Sequence, residues 1–340
     1  MKYIKLTPIV FLLLFSCSKD KEIEEIHSDI KVDFTFTDMI DHFVLTDNSV
    51  DINGAKLTYK WKLSCDTVSL FNPDSALVYF NIPVLQNSQQ LAIKHIVNNG
   101  IASDSLTKEI TIPKSTPERL YGLGIKINSA HSNNDSYNWY YDQMSTGTYS
   151  SVNCGPTSVT MAIKWVKEDF TKTPLDARST YRSTGGWWYT SDITNYLNMY
   201  SITNYIVSIN HIDSIQSQIN SGNIIILCLD MYYIRDQEKD KWHIDKFYST
   251  NNQKGWGHFI VVKGYKIVDK TVFYEVYDPN SYGRKYTDGS IKGKDRYYRS
   301  TDLNDAVLNW WAYAIVVSKT TIKSGVRRVD ACNIIHKPGL

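Results

Sequence analysis

The sequence predicts an α+β chain in two folded parts: a small all-β unit over residues 30–113 and an α+β unit over 137–320. Three observations predict it. Apolar residues recur with period two between 30 and 113; a helical apolar spacing follows Gly155-Pro156; and apolar strand runs return from residue 224 onward. Helices that precede a sheet, rather than alternate with its strands, read as α+β. The 340 residues, 42% hydrophobic and 21% charged, carry enough apolar material for both parts. The 24 Tyr and 9 Trp are a compositional habit and do not by themselves mark a binding site.

In the first part, Val32, Phe34 and Phe36 alternate with Asp33, Thr35 and Thr37, and Leu57, Tyr59, Trp61 and Leu63 alternate with Thr58, Lys60 and Lys62. Further strands are expected over 76–82, 91–97 and 106–112. Asp51-Ile52-Asn53-Gly54, Asn72-Pro73-Asp74 and Asn98-Asn99-Gly100 supply the turns between them. Short strands at regular spacing argue for a β-sandwich. Residues 113–117 carry Lys, Ser and Thr between two prolines and read as a linker, with 114–136 as linker and lead-in strand.

The polar, aromatic stretch 137–150 leads into a helix in which Val159, Ala162, Ile163 and Val166 share one face, while Lys164, Lys167 and Glu168 point away. Pro156 fits the first turn, where its missing N–H is not needed. Shorter helices are expected over 192–197 and 212–219, and strands over 224–229, 259–263, 271–277 and 312–317. At least one ring of Trp310-Trp311 belongs in the core.

The N-terminus is a separate matter. Lys2 and Lys5 precede a mostly apolar run from Leu6 to Phe15, too short to span a bilayer as a mature helix. The run ends in Leu14-Phe15-Ser16-Cys17. This resembles a bacterial lipoprotein signal: 1–16 would be removed, Cys17 lipidated, and the charged segment 17–29 left as a solvated tether. The chain would then be exported and lipid-anchored to a bacterial membrane, on its periplasmic or cell-surface side. Of the 37 Lys and Arg, two leave with 1–16, so the mature chain carries 35 bases against 35 acids. Such a balance offers no basic field for nucleic acid.

The remaining cysteines form neither a dense disulfide framework nor a short-spaced zinc set. Cys228 lies in the apolar run Ile224-Ile225-Ile226-Leu227-Cys228-Leu229 and reads as a core thiol. Cys65 and Cys332 are left either to pair or to stay reduced. The scattered His residues, without a His-Glu-x-x-His pattern, support no metal chemistry, and no cofactor is expected.

Three local features together carry chemistry. Asn153-Cys154-Gly155-Pro156 opens the helix, where the dipole and nearby N–H groups favour a thiolate. Gly255-Trp256-Gly257-His258 opens an apolar strand and sets His258 at its edge. Val276-Tyr277-Asp278-Pro279-Asn280 ends a strand at a turn and presents Asp278. A thiol to attack, an imidazole to hold its proton and a carboxylate to fix the ring are the groups that nucleophilic acyl transfer requires.

Residues 137–318 resemble the papain-like cysteine peptidases related to the double-glycine leader-processing (bacteriocin-processing) enzymes. The resemblance rests on Cys154-Gly155, on His258-Phe259-Ile260-Val261-Val262 and on Asp278-Pro279, in that order, separated by 104 and 20 residues. It implies a papain-like fold, hydrolysis of a peptide or protein substrate, and catalytic roles for Cys154, His258 and Asp278. That family places a Gln shortly before the Cys as an oxyanion donor. Here the nearest is Gln143, eleven residues upstream, with Ser145-Thr146-Gly147-Thr148 as a longer intervening loop. Gln143 and the backbone of Cys154 would form the oxyanion hole; Asn153 is a weaker substitute for Gln143. Trp187, Trp188, Trp256 and Tyr282 are candidates for the substrate cleft, and His211 and His243 read as surface residues.

Residues 30–113 resemble immunoglobulin-like domains of the polycystic-kidney-disease-repeat type, and read as a spacer. The tail is 321–340, and the chain is expected to be monomeric. Two alternatives stand beside the peptidase reading: a peptidoglycan amidase or endopeptidase, and a non-catalytic surface binding protein on the same fold.

Overall fold

The protein, seen in a computed structural model, is described over residues 29–65 and 68–320. The expected signal segment 1–16, Cys17, nearly all of the tether and the tail with Cys332 lie outside these residues. The described chain forms two units, one built on 29–37, 44–80 and 90–110, the other on 38–43, 81–89 and 111–320.

Alternation governs the first unit. Strand β1 is Ile30–Lys31, β2 Phe34–Asp38, β3 His42–Asp47, β4 Val50–Asp51, β5 Thr58–Leu63, β6 Leu70–Phe71, β7 Leu77–Asn81, β8 Gln89–Asn98 and β9 Ser103–Ile112. They form a four-stranded sheet ordered β2-β3-β7-β6, a three-stranded sheet ordered β5-β8-β9, and the pair β1-β4. Phe34, Leu45, Val78 and Phe80 are buried from the first sheet, Trp61, Leu91, Ile93 and Val97 from the second. Phe34 meets Trp61 edge to face at 5.2 Å, and the Trp61 ring stacks on buried His95. The expected partner of this row, Phe36, is exposed instead. It lies on the edge strand of its sheet, where alternation does not guarantee a cover. Gly100 turns the β8–β9 hairpin at φ +90°, a backbone region that side chains disfavour.

The second unit is built on an antiparallel sheet of seven strands: β10 (Ile127–Ser132), β11 (Thr203–Ser208), β12 (Ile224–Asp230), β13 (Gly257–Val268), β14 (Thr271–Tyr277), β15 (Arg296–Arg299) and β16 (Tyr313–Ser318). Their order is β11-β16-β12-β13-β14-β15. The long β13 pairs with β12 through 257–262 and with β10 through 264–268. Helices are α1 (Pro117–Leu120), α2 (Cys154–Val166), α3 (Pro174–Tyr181), α4 (Thr190–Met199), α5 (Gln216–Asn220) and α6 (Ser300–Leu308).

Both faces of the central strands are apolar, as a sheet covered on both sides requires. Ile224, Ile226, Cys228, Phe259 and Val261 pack with Val159, Ile163, Ile193 and Leu197 of α2 and α4. Ile225, Leu227, Leu229, Ile260 and Val262 pack with Leu303, Ala306 and Val307 of α6. Helix α2 is thus the central helix, buried on nearly every side along its first ten residues.

Several elements go beyond the sequence expectation. The segment expected as one helix over 212–219 is a 3₁₀ turn, Ile212–Ile215, followed by the short α5. Strand β10 falls within 114–136, expected as linker and lead-in strand; strands β11 and β15 and helices α3 and α6 were not expected. A Thr173–Asp176 capping box with Pro174 at its first turn announces α3, and apolar Leu303, Ala306 and Val307 announce α6.

Candidate active site

The site grows from the two ends of a hairpin and the start of a helix. Residues Asp269 and Lys270, at φ +47° and +70°, turn β13 into β14, the two-residue positive-φ geometry that suits a tight hairpin. The resulting register sets Val261 opposite Tyr277, so that His258 and Asp278 meet at the open end. The imidazole Nε2 and Asp278 Oδ1 are 2.8 Å apart. Helix α2 brings its first residue, Cys154, to the same place, and Ser158 Oγ, one turn on, donates to the Phe259 carbonyl at 3.2 Å. With Nε2 committed to Asp278, the ring's Nδ1 is left for the Cys154 thiol, which is near enough to act on the imidazole.

Asp278 is fully buried, and every hydrogen bond it accepts has an identified source. Oδ1 takes His258 and the Asn280 N–H at 2.9 Å; Oδ2 takes the hydroxyls of Tyr248 at 3.0 Å and Tyr298 at 2.5 Å. Its backbone N–H donates to Gly293 O at 2.8 Å, and its carbonyl accepts from Tyr140 Oη at 2.9 Å. A Cβ on Gly293 would stand 2.3 Å from both the Asp278 carbonyl and Tyr140 Oη, so only glycine fits there. Burial alone would neutralise this carboxyl; His258, Tyr298 and the Asn280 amide outweigh it and hold the group below the usual carboxylate range. Burial pushes His258 down as well, but Asp278 and Cys154 lift it to about 10. Both phenols are pushed well above their ordinary value, first by burial and then by the Asp278 charge, and remain protonated donors.

The approach to His258 is held by a residue the sequence reading passed over. Asp230, at the end of β12, accepts the N–H groups of Gly255 at 2.8 Å and Trp256 at 3.0 Å. Gly257 lets the Trp310 ring close in: a Cβ there would stand 2.8 Å from it.

Gln143 is buried in a 3₁₀ turn. Its backbone N–H donates to Pro279 O at 2.8 Å, which ties it to the turn that carries Asp278. Its side-chain amide donates to Ser150 O at 3.1 Å, and Oε1 has no partner. Asn153 does not substitute for it. Its amide N–H₂ goes to Thr146 Oγ1 at 2.8 Å, and its Oδ1 accepts from Arg178 Nε at 2.7 Å.

The aromatic candidates separate. Trp187 is 52% exposed, but Trp188 is 2% exposed and belongs to the core, packed against Tyr181, Tyr196 and the Gly155 backbone. Trp188 therefore acts from beneath and cannot line an open cleft. Tyr282 is exposed beside Tyr248, which in turn meets His258 edge-on at 6.3 Å; Trp256 is half-buried. His211 is exposed as expected. His243 is not: it is buried between the stacked rings of Tyr121 and Tyr286. Burial, with Arg296 adding to it, lowers His243 to about 4, so it stays neutral. Cys228 is a core thiol, pushed well up by burial and further by Cys154, and is not a second nucleophile. Among the described residues no group of three or more His, Cys, Asp or Glu could hold a metal ion, and no helix is long and apolar enough to cross a membrane.

Comparison with known proteins bears on this half of the chain. Residues 137–304 match the Peptidase_C39 like family. The crystal structure of a candidate C39-like peptidase from Bacillus anthracis is similar at 12% identity, with 57% of this chain and 100% of that chain covered and a TM-score of 0.39. No curated protein matches.

Proposed function

Starting from a chain that carries a C39-like cysteine-peptidase fold, we propose that it is a cell-envelope cysteine peptidase working through Cys154, His258 and Asp278. The observation that carries the reading is the buried His258–Asp278 hydrogen bond of 2.8 Å, beside the thiol that starts α2. The Cys154 thiolate attacks the carbonyl carbon of the scissile peptide bond. The developing oxyanion takes the Cys154 backbone N–H and a Gln143 amide N–H. His258 gives its proton to the leaving amine, the C–N bond breaks, and a thioester remains. Water then attacks the thioester with His258 as base, which releases the acid and the thiol. Asp278 fixes the ring and stabilises its cationic form when it holds the proton.

Lipidation at Cys17 would tether the enzyme to the membrane, with the N-terminal unit as an immunoglobulin-like spacer. Trp187, Trp256 and Tyr282 supply candidate substrate contacts. Turnover of a broad peptide library by the full chain, abolished in Cys154→Ala, is the expected result. A library left intact by folded wild-type protein would sink the peptidase reading. Release of muropeptides from purified cell wall in the same experiment would redirect it to peptidoglycan.

A further inference from the structure

We propose that Arg178 is a positioning residue for Cys154: its guanidinium holds Asn153, the N-cap residue directly before Cys154, and adds a positive charge to the start of α2. This rests on Cys154 being the nucleophile.

Arg178 lies on α3 and is only 2% exposed. Burying a guanidinium is unfavourable unless a partner offsets it, and the usual partner is a carboxylate. Among the described residues no carboxylate lies within ion-pair reach of Arg178. Its N–H groups go to neutral oxygens: Asn153 Oδ1 at 2.7 Å, Val152 O at 3.3 Å and Arg182 O at 3.3 Å. The rings of Tyr149 and Trp188 lie 5.8 Å from its carbon centre. Arg182, a like charge, makes matters worse, although Asp192 pairs with it at 2.8 Å. The charges that oppose burial and Arg182 on the guanidinium are first that of Cys154, next in sequence to its anchor Asn153, and then those of Asp192 and Tyr149.

A second observation points the same way. Asn is among the strongest helix N-caps because its side-chain oxygen accepts a first-turn N–H. Asn153 stands at the N-cap of α2, yet its side chain makes no capping bond. Arg178 has taken that oxygen, and Thr146 has taken the amide N–H₂. The N–H groups at the start of α2 are therefore not consumed by the cap residue and can face the thiolate or the oxyanion. Arg178 adds its charge to that of the helix terminus.

The titratable groups on which the charge of Cys154 acts are His258 on β13, backed by Asp278, the neutral thiol Cys228 on β12, and Arg178 on α3. Arg182, Asp192 and the Tyr149 phenol stand behind Arg178. Arg178→Gln keeps a donor for Asn153 but removes the charge; Arg178→Lys keeps the charge on a less well matched stem.

The test is the pH dependence of Cys154 alkylation by iodoacetamide, followed by intact mass, with thermal melts in parallel. In wild type, the alkylation rate against pH gives the reference midpoint. In Arg178→Gln the midpoint rises by about one unit, about tenfold slower alkylation on the acid side; in Arg178→Lys it rises by less. A purely structural Arg178 would lower the melting temperature and leave the midpoint in place, and that result in folded Arg178→Gln overturns the proposal. Should Arg178→Gln not fold, Arg178→Lys carries the test, and an unmoved midpoint there overturns it equally. Wild-type protein with no selective alkylation at Cys154 defeats the nucleophile reading and this proposal with it, whereas alkylated wild type with unmoved variants defeats the role of Arg178 alone.

Discussion

The two sides of the site are built differently. On the carboxylate side, four donors converge on Asp278, two of them phenols whose own protons burial secures. On the acyl side, the buried Gln143 side chain makes one bond, to Ser150, and has a bare Oε1. A saturated network of this kind holds its members in one arrangement. The acyl side keeps an unmatched polar atom, a feature tolerated in native proteins mainly where it serves a role. Under the proposed mechanism the base would be oriented before substrate arrives, whereas the oxyanion would be met only by the second N–H of the Gln143 amide, because the bare Oε1 is itself an acceptor.

The largest expected effect breaks the finished side. Asp278→Asn should lower kcat/KM for a cleaved peptide by about 10²–10⁴, read by steady-state kinetics. It should also alter the pH dependence of stability. A raised His258 contributes stability fully below its unfolded value of about 6.5, and loses it as pH climbs toward about 10. The lowered Asp278 contributes above its unfolded value and loses it as pH falls through the lowered one. Melting temperature in wild type should therefore fall between about pH 6.5 and 10, and that fall should flatten in Asp278→Asn, where the lift on His258 is gone.

The next effect probes the unfinished side. Gln143→Ala should lower kcat by about 10² with KM little changed, as expected for an oxyanion donor. A loss of stability with kcat intact would make Gln143 a scaffold residue only. The smallest catalytic effect belongs to the rim. Trp187→Ala should raise KM a few-fold without moving the melting temperature, whereas Trp188→Ala should destabilise the protein by about 3–5 kcal/mol. Equal behaviour of the two variants would contradict the division between exposed and buried rings.

What the sequence made legible follows from local physics. Cys154, His258 and Asp278 each sit at the end of an element with its own signal: a Gly-Pro helix start, a Gly-flanked strand start and an Asp-Pro turn. Tyr140, Tyr248, Tyr298 and Arg178 were not legible, because each reaches the site from an element whose pairing or packing sets its direction. Tyr298 lies in Arg296-Tyr297-Tyr298-Arg299, a strand with no apolar alternation to announce it. His243 looked like a surface residue because nothing local revealed Tyr121 and Tyr286 as its cover. Trp187 and Trp188 are neighbours in a loop, and only the distant partners Tyr181, Tyr196 and Gly155 decide which ring is buried.

The most direct measurement is intact mass after brief iodoacetamide treatment of folded wild type and Cys154→Ala at mildly acid pH. The account predicts one carbamidomethyl group in wild type, lost in Cys154→Ala, with Cys228 untouched until the protein is unfolded. Wild-type protein that takes up no label at Cys154 under these conditions, or labels Cys228 first, would contradict it.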